Sequence, residues 1–171
     1  MASLDQALVV ADGDVDTALL AALARPGDRA LLIAADGGAA HVLAAGLVPD
    51  VVVGDFDSLA DADRARLEEL GVELRVAPRD KDQSDMELCL LTALEAGAAR
   101  ITLLGALGLD RPEHSLANLL LLADARLDRA EVVIAGRGSR TWRIGTAEGP
   151  GSATIKGQPG DFVSLFPLEA E

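Results

Sequence analysis

Asp55 and Asp57 flank Phe56 in the run Gly54-Asp55-Phe56-Asp57-Ser58, directly after the apolar stretch Val51-Val52-Val53. Alternate residues of an extended segment point the same way, so the two carboxylates are expected to share a side and offer a hard cation several oxygen ligands. Aspartate closes other apolar runs too. Asp12 follows ALVVA, and Asp36 follows ALLIAA and precedes Gly37 and Gly38. The run Arg79-Asp80-Lys81-Asp82-Gln83-Ser84-Asp85 follows ELRVA. Carboxylates gathered on one edge repel one another unless cations lie among them, and Mg²⁺ carrying a polyphosphate supplies both oxygen ligands and charge balance.

A plainer reading stands beside this one, because aspartate is common in turns and at helix N-termini, where it accepts from free backbone N–H groups. Asp12, Asp14 and Asp82 are open to it, and Asp85 is open to a role as a favourable charge in a first helical turn. Asp55 and Asp57 are less so, since Ser58 is available as a cap. Gly37 and Gly38 open a helix, where small residues let an anion approach the backbone amides. There is no G-x-x-x-x-G-K-[ST] phosphate loop and no G-x-G-x-x-G after the first apolar run.

These residues must be positioned by an ordered scaffold, and the texture of the chain says which. Short apolar runs begin at Ala7, Ala30, Val51, Glu73, Arg100 and Glu131, and Ala/Leu-rich segments of helical period lie between them. Near-continuous apolar runs are those of strands covered on both faces. The expected fold class is therefore α/β, a largely parallel Rossmann-like sheet with helices on both faces, whose ligands bind beyond the carboxyl ends of the strands. Gly46, Gly71 and Gly97 close helical segments, while Asp14, Ser58 and Ser84 are candidate N-caps, Ser84 forming a Ser-x-x-Glu capping box with Glu87. After Gly136, the runs TWRIG, ATIKG and DFVSLFPL, separated by AEGPGS and GQPG, read as a small antiparallel β unit with Gly/Pro turns. Two units are expected, residues 1–136 and 137–171.

Composition narrows the partners. A chain of 171 residues with 28 acidic against 15 basic side chains and a formal charge of -13 has the wrong sign for tracking nucleic-acid phosphates, so no nucleic acid is expected. No apolar stretch approaches the length of a membrane span, no export signal is seen at the N-terminus, and the cytoplasm is the expected location. The single cysteine, Cys89, sits among apolar residues and reads as core.

Four segments together resemble the thiamine pyrophosphokinase family: ADGGAAHVLAAGLVPDVVVGDFDSL from Ala35, KDQSDMELCLLTAL from Lys81, LLGALG from Leu103 and EHSLANLLLL from Glu113. The resemblance covers roughly residues 30–168, and it implies a catalytic nucleotide-binding domain in residues 1–136 and part of a β-rich substrate and dimerisation domain in 137–171. By this likeness Asp36, Asp55, Asp57 and Asp85 are the active-site carboxylates, with Asp55, Asp57 and Asp85 holding Mg²⁺. Gly37, Gly38, Lys81, Gln83, Ser84 and Arg111 are implied at ATP and its phosphates, and Glu113, His114 and Asn118 at the substrate. The implied reaction is transfer of a diphosphate from ATP to the hydroxyl of thiamine, releasing AMP, in a homodimer.

The sequence departs from the family pattern in two places. A Gly-Gly-Arg-x-Asp-His run is replaced by Gly108-Leu109-Asp110-Arg111-Pro112-Glu113-His114, one residue longer and with Glu for Asp. His114 and Asn118, four apart, share a helix face, where packing and ligand roles are both open. His41, alone on an Ala-rich segment, reads as structural. Family chains also continue past the VSLFPL-like strand with aromatic residues that help hold thiamine, whereas aromatics are 2% here and Trp142 is the sole tryptophan, read as packing in the β unit. Nucleotide binding is therefore expected to outlast thiamine recognition. Two other functions compete: a diphosphokinase for another heterocyclic alcohol such as a hydroxymethylpterin, and a nucleotide-binding module that has lost its acceptor site.

Overall fold

The computed structural model describes residues 5–24, 30–108, 110–144 and 152–167. All six apolar runs are parallel strands: β1 (Gln6–Val10), β2 (Ala30–Ala35), β3 (Val51–Gly54), β4 (Glu73–Val76), β5 (Arg100–Leu104) and β6 (Glu131–Gly136). A seventh strand, β7 (Ser139–Trp142), pairs antiparallel with β6, and the sheet order is β4-β3-β2-β1-β5-β6-β7. Helices α1 (Thr17–Leu23), α2 (Gly38–Ala44), α3 (Asp61–Glu69), α4 (Asp85–Glu95) and α5 (Pro112–Leu121) alternate with the parallel strands, and a 3₁₀ turn (Ala125–Leu127) precedes β6.

The strands read as continuous apolar runs because neighbouring residues enter different cores. Val9, Ile33 and Val53 point to the layer that holds Met86, Cys89, Leu90 and Ala93 of α4. Val10, Ala34 and Val52 point to the other layer, where Leu20 of α1, Val42 of α2 and Leu67 of α3 pack. An alternation of period two thus divides one sheet between two helical layers. Cys89 is fully buried, and that burial, with the nearby charge of Asp85, pushes its thiol pKa up.

Most helix ends follow local chemistry. Gly46, Gly71 and Gly97 take left-handed φ values of 73°, 71° and 87° just beyond their helices. Ser84 caps α4, its Oγ accepting from Glu87 N at 3.2 Å, but the capping box is only half made, because the Glu87 carboxylate turns to Arg126 at 2.5 Å. Two caps differ from expectation. Asp16, not Asp14, caps α1 through bonds from Ala18 N and Leu19 N, and Ala60 occupies the cap position of α3 while Ser58 serves the turn before it.

The antiparallel unit is present as the β6–β7 pair, with Trp142 opposite Val133. GQPG forms a turn, closed by Asp161 N donating to Gln158 O at 3.1 Å. The other expected strands do not form among residues 152–167, which have no ladder partner, and Phe162, Val163, Leu165 and Phe166 are exposed there. An alternating apolar pattern makes a strand only where another strand takes its N–H and C=O groups. Most of the AEGPGS turn, Leu109 and Leu168 lie outside the described residues.

Candidate functional site

Strand order reverses beside β1, where the crevice of a doubly wound sheet is expected. Here backbone closes that position: Ala11 N, Gly13 N and Asp14 N donate to the carbonyls of Leu104, Gly105 and Leu107 at 2.8, 3.0 and 3.1 Å. The polar residues gather instead at the ends of β2 and β3 and at the start of α4.

Asp36 terminates β2 with a left-handed φ of 42°, a conformation that Asp tolerates better than most residues, and it is buried, at 6% exposure. Its Oδ2 accepts from Ser58 N at 3.2 Å, while its Oδ1 has no partner. Burial raises its pKa above the ordinary carboxylate range; the Ser58 N–H bond opposes this, and the charges of Asp85 and Asp55 add to it. Two glycines make room for this arrangement. A Cβ on Gly54 would stand 2.9 Å from the Asp36 Cβ, and a Cβ on Gly38 would collide with the Val10 carbonyl. Gly38 is therefore required by the approach of α2 to β1, whatever else its amide does.

The turn after β3 unites the two aspartates by a route different from the expected one. The segment is not extended, because Phe56 has a left-handed φ of 61° and its ring is buried. Asp57 N donates to Asp55 Oδ1 at 3.2 Å and Ser58 Oγ to Asp57 Oδ1 at 3.1 Å, so the turn is held by its own polar groups. One carboxylate oxygen from each of Asp36, Asp55 and Asp57 lies within 4.8 Å of the others. An all-oxygen donor set with an unpartnered buried oxygen suits a hard divalent cation.

Asp85 borders this triad from the first turn of α4. Its Oδ1 is buried and lies 3.0 Å from Lys81 Nζ, close enough to pair charges but without hydrogen-bond alignment. Lys81 itself is only 13% exposed. Gln83 and Ser84 are exposed beside it at the helix entry. Arg79, which sequence reasoning passed over, reaches Asp55 Oδ2 at 3.7 Å and Asp57 Oδ2 at 3.8 Å. Its signal was its place two residues before Lys81 in a loop between acidic groups.

The remaining candidates are engaged elsewhere. Arg111 pairs with Glu113 at 3.1 Å at the exposed start of α5, and His114 lies 3.9 Å from the same carboxylate. The Glu113 pKa is lowered by its own backbone N–H and by Arg111. Asn118 is buried and donates to Ala106 O at 2.7 Å, which ties α5 to the loop after β5. Ser115 bonds both the N–H and the carbonyl of Gly108, each at 2.9 Å, and so shapes the same loop. Asp12 leans over Gly37, 2.7 Å from where its Cβ would be, with His41 Nε2 3.5 Å away.

Sheet order and acidic edge define a doubly wound α/β domain with a cation-ready carboxylate cluster at the carboxyl ends of its strands. Residues 27–134 match the family described as thiamin pyrophosphokinase, catalytic domain. The chain belongs to that family. It is similar to the thiamine pyrophosphokinase of Bacillus subtilis (strain 168), 38% identical over 95 residues that cover 56% of this chain and 44% of the relative. The solved Bacillus subtilis thiamine pyrophosphokinase superposes with a TM-score of 0.65 at 29% identity, covering 76% of this chain and 60% of that one. The Geobacillus thermodenitrificans structure gives 0.61 at 30% identity, covering 75% and 58%. The chain thus spans less than two thirds of the length of these relatives.

Proposed function

We propose that this chain transfers a diphosphate from Mg–ATP to the hydroxyl of thiamine, giving thiamine diphosphate and AMP. The observation that carries this reading is the convergence of Asp36, Asp55 and Asp57, with one buried oxygen unpartnered, in a chain of the thiamin pyrophosphokinase catalytic family. Bound there, Mg²⁺ would neutralise charge on the phosphoryl oxygens and orient the polyphosphate. Asp36, Asp55 and Asp57 would hold the cation, Asp36 in place of the Asp85 that the resemblance implied, because one oxygen of each of these three lies within 4.8 Å of the others; Asp85 would stand beside them. Lys81, fixed against Asp85, adds a positive charge where negative charge develops on the transferred group. Gln83 and Ser84 flank the phosphates at the entry to α4. Gly37 and Gly38, expected from the sequence to let phosphate approach the backbone, are instead buried under the Asp12 carboxylate and against the Val10 carbonyl and serve the packing of α2 on β1.

In the displacement an oxygen–phosphorus bond forms between the hydroxyl and the β-phosphorus while the bond to the AMP oxygen breaks. Alignment of these atoms supplies most of the rate, and a carboxylate of the cluster that is not holding the cation takes the hydroxyl proton. Asn118 and Ser115 keep the β5–α5 loop in place, with Arg111 on the phosphate side and Glu113, His114 and Asn118 on the acceptor side. Residues 1–136 are the nucleotide unit and 137–171 part of the acceptor and dimer unit. The exposed Phe162, Val163, Leu165 and Phe166 support burial between two copies. Among the described residues no helix is long and apolar enough to cross a membrane.

The test is incubation of the purified chain with ATP, Mg²⁺ and a panel of alcohols including thiamine, with AMP as readout. AMP formation with thiamine, lowered at least about a hundredfold in both Asp55→Asn and Asp57→Asn without loss of fold, is the expected result. AMP with a different alcohol would reassign the acceptor. Nucleotide binding without AMP would make the chain a binding module.

A further inference from the structure

Four carboxylates, Asp36, Asp55, Asp57 and Asp85, share the acidic edge with two cationic side chains, Lys81 and Arg79. The two cations are held differently. Lys81 is nearly buried and sits 3.0 Å from Asp85, four residues on in the chain. Arg79 is 73% exposed, and its guanidinium reaches one oxygen of Asp55 and one of Asp57 at 3.7 and 3.8 Å. Both of those carboxylates belong to the triad. Exposed ion pairs at such separations are weak and screened by salt, whereas a divalent cation takes carboxylate oxygens directly, at about 2.0 to 2.6 Å. The two cannot share Asp55 and Asp57 at full strength, and the looser one yields.

We propose that Arg79 is an exchangeable counter-cation of this site. It bridges Asp55 and Asp57 before a divalent ion enters, gives up both when the ion binds, and then pairs through its planar fork with the nucleoside polyphosphate that the ion accompanies. This rests on the reading of the cluster as a cation site and assigns to Arg79 control over the order of binding there. Bridging relieves the repulsion between two carboxylates held in one turn, so the turn is preformed before any ion arrives. It also weakens the affinity for the free ion, so the ion is favoured when it comes with phosphate groups to receive the displaced guanidinium. A lysine would keep the charge but lose the fork that spans both carboxylates and matches two phosphate oxygens.

The experiment compares the unaltered chain, Arg79→Gln, Arg79→Lys, Asp55→Asn and a charge control, Arg64→Gln, whose guanidinium lies 5.6 Å from the Phe56 ring centre and pairs with Glu68. Retention of fold is checked by circular dichroism. Mn²⁺ is titrated alone at low salt and followed by calorimetry and by the spin resonance of the free ion. Arg79→Gln is expected to bind Mn²⁺ about threefold to tenfold more tightly than the unaltered chain, with Arg79→Lys between them and Arg64→Gln close to the unaltered chain. With Mg²⁺ saturating, a non-hydrolysable ATP analogue is expected to bind Arg79→Gln about threefold to tenfold more weakly, again with little change in Arg64→Gln. Unchanged Mn²⁺ affinity in Arg79→Gln, while Asp55→Asn abolishes binding, overturns the role of Arg79 and leaves the cation site standing. An equal shift in Arg64→Gln also overturns it, since general charge would then suffice. If neither the unaltered chain nor Arg79→Gln binds Mn²⁺, the cation site itself falls and the exchange falls with it.

Discussion

Asp36 carries two opposed demands. Its side chain is buried with one oxygen unpartnered and other carboxylates nearby, a costly place for a charge, yet a charge is what a cation site requires. Because its folded pKa is raised above the unfolded one, the folded state binds the proton more tightly. Between the ordinary carboxylate value and the raised one, stability falls as pH rises, and above the raised value the full cost of the ionised group remains. Asp36→Asn keeps an oxygen for Ser58 N, tolerates the left-handed backbone and carries no charge. In EDTA near neutral pH the variant should melt at a higher temperature than the unaltered chain, and its advantage should shrink as pH falls through the carboxylate range. Adding Mg²⁺ should stabilise the unaltered chain and leave the variant almost unmoved. A lower melting temperature for Asp36→Asn in EDTA would show that the carboxylate is satisfied after all.

At the scale of elements, one short helix makes two different demands on glycine. Gly38 begins α2 where a Cβ would strike the Val10 carbonyl of β1, so the obstacle is a neighbouring strand. Gly46 follows the same helix at a φ of 73° with open space around it, so the obstacle is its own backbone. Gly38→Ala should lower the unfolding free energy by about 1–3 kcal/mol through overpacking. Gly46→Ala should cost about 1 kcal/mol, and Gly46→Asn less, because Asn visits the left-handed region more readily. Gly38→Asn should do no better than Gly38→Ala. Denaturant unfolding of the four variants separates the two mechanisms, and an Asn rescue at position 38 would contradict the steric account. Gly54→Ala joins the elements to the site, since its Cβ would press on the Asp36 Cβ from 2.9 Å, and it should weaken Mn²⁺ binding more than it weakens the fold.

Across the whole molecule, a formal charge of -13 and a cluster of carboxylates on one sheet edge make stability sensitive to cations. Monovalent salt screens the general repulsion, but only a bound ion stabilises through occupancy, by about 2.7 kcal/mol at a hundred times its dissociation constant. The melting temperature should therefore rise with millimolar Mg²⁺ and further with added ATP, by more than in NaCl of matched ionic strength. Equal effects of MgCl₂ and matched NaCl would mean screening alone. The exposed Phe162, Val163, Leu165 and Phe166, with Leu116 and Leu120 of α5, make self-association the expected state in solution. Sedimentation should show a dimer, and Phe162→Ser with Phe166→Ser should move the population towards monomer; a monomeric unaltered chain would remove the basis for that reading.

The sequence by itself determined the six parallel strands, because residues such as Val9 and Val10, or Val52 and Val53, must be apolar on both sides when helices cover both faces of a sheet. It also determined the edge on which Asp36, Asp55, Asp57 and Asp85 would fall, since a parallel strand delivers its following residue to one end of the sheet. Local punctuation was legible at Gly46, Gly71, Gly97 and Ser84, where a single residue's chemistry decides the outcome. Competition between neighbours was not legible: Asp16 took the cap expected of Asp14, and Ser58 turned to Asp36 and Asp57. The orphaned oxygen of Asp36, the reach of Arg79 across the aspartates and the tie between Asn118 and Ala106 all depend on approaches between distant segments. The pairing of residues 152–167 was undecidable for the same reason, because an alternating pattern specifies which side chains face together but not whether a neighbouring strand exists. Periodicity and residue type act within a few positions, whereas burial, partnering and charge balance are settled only when the tertiary structure brings segments together.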